Sequence, residues 1–72
     1  MISMDTAELK QQLERLIDRY VEQETERTRL LQLVRQKGTP PVKAILAKIT
    51  SSPVPFDPQD SDVVKDIVFY YV

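Results

Sequence analysis

Carboxylates recur four residues apart in this chain, among them Glu22 with Glu26 and Asp62 with Asp66. On a helix that spacing puts both groups on one face, where two acids can divide the work of general acid and general base. The same spacing is the ordinary pattern of a solvated helix surface, and solvated surface is what it predicts. Tyr20, Tyr70 and Tyr71 are the phenolic candidates, a residue type whose usual place is a core or an interface. The chain contains no histidine and no cysteine. The common zinc and iron ligand sets are therefore absent, and no disulfide can form. A single glycine cannot build a phosphate-cradling loop. No catalytic residue, metal site or cofactor is expected, and the chain reads as a non-enzyme.

Charge is close to balanced overall but segregated along the sequence. Residues 5–26 hold seven acids and three bases, residues 27–56 six bases and no acid, and residues 57–72 four acids and one base. The basic set is Arg27, Arg29, Arg35, Lys37, Lys43 and Lys48. It predicts either packing against the acidic segments of the same or another subunit, or an anion-binding surface. A nucleic acid is the anion to consider, since the basic run spans a helix, a glycine-containing turn and a second helix. Against this, the whole chain is slightly acidic. The second helix also lacks the Asn, Gln, Ser or Arg side chains that read base edges.

These groups must be carried by helices. Asp5, with Glu8 three residues on, is a partial capping box. No glycine or proline follows until Gly38, and Arg35 and Lys37 suit a helix C-terminus. The sequence thus predicts one continuous helix over about 5–37, roughly 50 Å long at 1.5 Å per residue. Its apolar stripe is Leu9, Leu13, Leu16, Ile17 and Tyr20. After a polar stretch, the stripe resumes in phase at Leu31 and Val34. Glu24 and Arg27 fall on the apolar side at the waist, either solvated or paired across a coiled-coil seam.

Thr39 and Pro40 announce a second helix over about 40–50, folded back on the end of the first as an α-hairpin. Val42, Ile45, Leu46 and Ile49 form its apolar face. Residues 51–58 are a proline-rich loop, with Val54 and Phe56 pinning it to the core. Asp57 before Pro58, or Ser61, caps a third short helix over about 60–71, with strand as the competitor from Ile67 onward.

Residues 1–72 are thus expected to form one small all-α domain. A core this small, without disulfide or metal, is marginal alone, so self-association is expected, a dimer above all. Leu9, Leu13, Leu16, Ile17 and Tyr20 are the expected assembly surface. Phe69, Tyr70 and Val72 are the expected partner surface, because one helical face cannot bury them all. The expected function is a protein–protein interaction module: an adaptor, a small regulator or a chaperone-like subunit. Nucleic-acid binding through residues 27–48 is the alternative. No apolar run is long enough to span a membrane. The start, Met-Ile-Ser-Met-Asp, lacks the blocks of a signal peptide, so a cytoplasmic location is expected.

Overall fold

The computed structural model describes residues 4–72 and is all-helical over them. The elements in chain order are α1 (Thr6–Tyr20), α2 (Glu24–Arg35), α3 (Val42–Thr50) and α4 (Pro58–Tyr71).

The all-α class is as expected, but the long rod is not there. Residues 21–23 leave the helical conformation, and α2 folds back on α1. Val21 is extended (φ −89°, ψ 105°), and Gln23 is extended too (φ −71°, ψ 123°). The molecule's longest extent is 35 Å, shorter than the predicted rod. No glycine or proline marks the break, so local propensity does not explain it. Burial does. In a straight helix Leu9 and Leu30 would stand roughly 30 Å apart, each with a bare apolar face. Folding back at a three-residue joint lets those faces cover each other, for the loss of a few backbone hydrogen bonds. The in-phase resumption of the stripe reflects two helices that each face one core.

Local signals hold at most helix ends. Asp5 Oδ1 accepts the Glu8 N–H at 2.8 Å, as the capping box predicts. Helix α2 stops at Arg35, and Gly38 (φ +88°) turns the chain toward α3. Helix α3 begins at Val42, two residues later than predicted, with Pro41 at its N-cap and no side-chain cap from Thr39. Pro41 keeps Pro40 out of the helix, because a proline disfavours helical backbone in the residue before it. Helix α4 begins at Pro58, capped by Asp57, whose Oδ1 accepts the Gln59 N–H at 3.0 Å.

The core joins all four helices. Leu9, Leu13, Leu16, Ile17 and Tyr20 of α1 meet Leu30 and Val34 of α2, Val42, Ile45, Leu46 and Ile49 of α3, and Ile67 of α4. Helix α3 packs against α1 and α4 more than against α2, where a hairpin partner was expected. Fully burying one such aliphatic side chain contributes about 1.5–3 kcal/mol. Helix α4 brings one fully buried apolar residue, Ile67, against four in α1 plus Tyr20. It therefore depends more than the others on polar contacts.

Candidate functional site

The polar contacts that seat α4 converge on Asp60, which is 2% exposed. Its position follows from helical phase. Asp60, Val64, Ile67 and Tyr71 recur at four and three residues, so the carboxylate shares the stripe of α4 that faces the bundle. Tyr20, at the end of α1, donates its hydroxyl to Asp60 Oδ2 at 2.5 Å. The same hydroxyl accepts the Asp57 N–H at 3.0 Å. Arg15 Nη1 meets Asp60 Oδ1 at 2.7 Å, and Arg19 reaches Asp57 at 3.3 Å and Asp60 at 3.5 Å. Phe56 lies flat on the Tyr20 ring, centroids 4.2 Å apart and planes 16° apart. Phe56 thus pins the proline-rich segment to the core, as predicted.

Burial pushes the Asp60 carboxyl upward. The Tyr20 hydroxyl and the Arg15 hydrogen bond, with the charges of Arg15 and Arg19, outweigh that and hold it below the usual carboxylate range. Burial raises the Tyr20 phenol, and the hydrogen bond to Asp60 raises it further. Both Asp60 oxygens are engaged and the group is closed to solvent. The cluster is a structural lock between α1 and α4.

What the lock presents is the far half of α4. Tyr71 turns inward, its hydroxyl donating to the Met4 carbonyl at 2.7 Å. With Ile67 and Tyr71 committed to the bundle, Val68, Phe69 and Val72 must face out. They are 42%, 79% and 60% exposed. Tyr70 is half-buried, and its ring meets Phe69 edge to face at 5.0 Å. Beside this face, between α1 and α4, runs an open groove of about 320 Å³, lined by Met4, Glu8, Gln12, Val63, Asp66 and Tyr70.

A second depression, about 480 Å³, opens at the α1–α2 joint, lined in part by Glu22, Glu26, Lys48 and Ser51. There Arg29 hydrogen-bonds Glu26 and holds it below its ordinary value.

The residues predicted as sites are scattered. Leu9, Leu13, Leu16, Ile17 and Tyr20 are fully buried within the chain, so the assembly surface assigned to them is corrected to an intramolecular core. The bent rod supplies the cover that a second subunit was expected to supply. Phe69, Tyr70 and Val72 do lie together at one end of α4, joined by Val68. Among the predicted cations, Arg29 and Lys48 bind Glu26, and Arg35 binds Glu14 at 3.3 Å. Lys37 and Lys43 are exposed and Arg27 is half-buried. The basic middle of the chain is thus partly set against its own acidic segments. Glu24 is exposed, and no ion pair joins it to Arg27 among the described residues.

Asp60 was not singled out in the sequence, although an acid in phase with Val64, Ile67 and Tyr71 was the available signal. No family model, no curated protein and no solved structure matches this chain. No helix of the described residues is long and apolar enough to cross a membrane.

Proposed function

We propose that this protein is a non-enzymatic interaction module, an adaptor, small regulator or chaperone-like subunit, which engages a protein partner through the outer face of α4. One observation carries the reading. Phe69, Val72 and Val68 lie together on the outer side of α4, and among the described residues they are the exposed large hydrophobics, the others being buried or partly buried. Burying large aromatic and aliphatic side chains is what drives protein association, and such residues act as interface anchors. The core needs none of the three. Their exposure costs solubility, which is consistent with a face used in association. A cytoplasmic setting suits a chain without cysteine.

Affinity capture from the native source tests the proposal, with the wild-type chain and a Phe69→Ser/Val72→Ser variant as parallel baits. The expected result is a partner retained by the first and lost by the second. Identical capture by both sinks the proposal. Sedimentation at micromolar concentration shows in parallel whether a second copy of the chain, expected from its small size, occupies the same face.

Nucleic-acid binding through Arg27, Arg29, Arg35, Lys37, Lys43 and Lys48 is not favoured, because three of these cations already face carboxylates of the same chain. A mobility shift on mixing with DNA or RNA that weakens steeply with salt would reinstate it.

A further inference from the structure

We infer that the partner engaged by α4 is a cationic amphipathic segment of another protein, an inference that rests on the interaction-module reading above. Its apolar side covers Phe69 and Val72, and a lysine or arginine enters the adjoining groove between α1 and α4. Glu8 stands on the α1 wall of that groove and Asp66 on the α4 wall, and among the described residues no cation lines it. Both side chains are exposed, and neither carboxylate joins an ion pair among the described residues. One turn away on the same helices stand two more exposed acids, Asp5 and Asp62. Lys65 is the one exposed base of α4; on α1, Arg15 is turned onto Asp60 and Gln12 and Lys10 onto the Gln36 carbonyl.

The charge lining the groove is therefore one-sided, while the apolar face beside it carries the single base Lys65, one turn before Phe69. Elsewhere on the molecule the carboxylates of Glu14, Glu26, Asp57 and Asp60 are matched by arginines of the same chain; those of Asp18, Glu22 and Glu24 join no ion pair among the described residues, but none of them lies in the groove beside Phe69. A cationic residue flanking an apolar anchor satisfies both features at once. An anionic or purely apolar segment satisfies only one. Such charges set partner choice and association rate, and the aromatic anchor sets the lifetime of the complex.

Two labelled, end-capped 14-residue peptides of one leucine pattern test this by fluorescence anisotropy, one with lysine and one with glutamate at every polar position. The full chain should bind the lysine peptide at least ten times more tightly than the glutamate peptide, and less tightly as salt rises. Glu8→Gln/Asp66→Asn should reduce that preference to about twofold. Asp18→Asn/Glu24→Gln removes the same charge elsewhere on the surface and should leave the preference intact. Phe69→Ala, at an exposed position, should weaken binding at least tenfold.

Equal binding of both peptides that depends on Phe69 overturns the cationic partner and keeps the interaction face. Loss of preference in both charge variants alike overturns it too, since the groove would then matter no more than net charge. A Phe69-dependent homodimer that excludes both peptides replaces the partner with a second copy. Failure of both peptides to bind overturns this inference, while the proposed function stands or falls by whether capture of a partner depends on Phe69 and Val72.

Discussion

The Tyr20 hydroxyl lies 2.5 Å from Asp60 Oδ2, joining the last residue of α1 to the first turn of α4 across 40 positions of sequence. Around that bond gather Arg15, Arg19 and the backbone of Asp57. The helix that presents Phe69 is therefore positioned by polar contacts at one end and by Ile67 further along it.

Removing the carboxylate should loosen α4. Asp60→Ala leaves the Tyr20 hydroxyl without its acceptor, at a cost of about 1–3 kcal/mol. Arg15 and Arg19 retain access to water, so the larger penalty of a stranded buried charge does not arise. Tyr20→Phe should cost less than Asp60→Ala, because both Asp60 oxygens keep an arginine. Chemical denaturation of the two variants checks the order, and equal stability of Asp60→Ala and wild type would contradict the lock.

Stability should fall at both extremes of pH. The Asp60 carboxyl is depressed in the folded chain, so its contribution is complete above the unfolded value, about pH 4. It is lost as pH falls through the lower folded value. Glu26, depressed by its hydrogen bond from Arg29, adds to the same limb. The Tyr20 phenol is raised, so its contribution is complete below about pH 10 and lost as pH rises through the folded value. Thermal melts across pH should show Asp60→Asn with a shallower acid limb and Tyr20→Phe with a shallower alkaline one.

The joint between α1 and α2 should accept a proline. Gln23 has φ −71°, already close to the proline value, and no backbone carbonyl accepts its N–H among the described residues. Gln23→Pro should change stability by less than about 1 kcal/mol, whereas a proline inside a continuous helix costs about 3 kcal/mol or more. A loss of the larger size on denaturation would restore the unbroken rod.

Leu13 and Phe69 should behave oppositely. Leu13→Ala should cost about 2–5 kcal/mol, as buried leucines do, and that loss should not vary with protein concentration. A melting temperature that rises with concentration would return the leucine stripe to a subunit interface. Phe69→Ala should stay within about 0.5 kcal/mol of wild type, as exposed positions do.

Much of this molecule is written locally. Phe56 is pinned by Tyr20, 36 positions away, whereas the caps at Asp5 and Asp57 and the helix after the paired prolines are near-neighbour effects. The crowding of Phe69, Tyr70 and Val72 was legible for the same reason. Thirty-three residues without a glycine or proline offered no local reason to bend, and the bend came from elsewhere. Two apolar faces about 30 Å apart in the straight form share one core with α3 and α4 once the chain folds back. That choice turned Leu9, Leu13, Leu16, Ile17 and Tyr20 from a surface into a core. It also brought Tyr20 to the place where Asp60 could enter the interior with its oxygens satisfied. Residue types and spacing determined which stretches are helical and which faces are apolar. Only the tertiary structure decided which faces meet, because burial depends on what the whole chain can bring together.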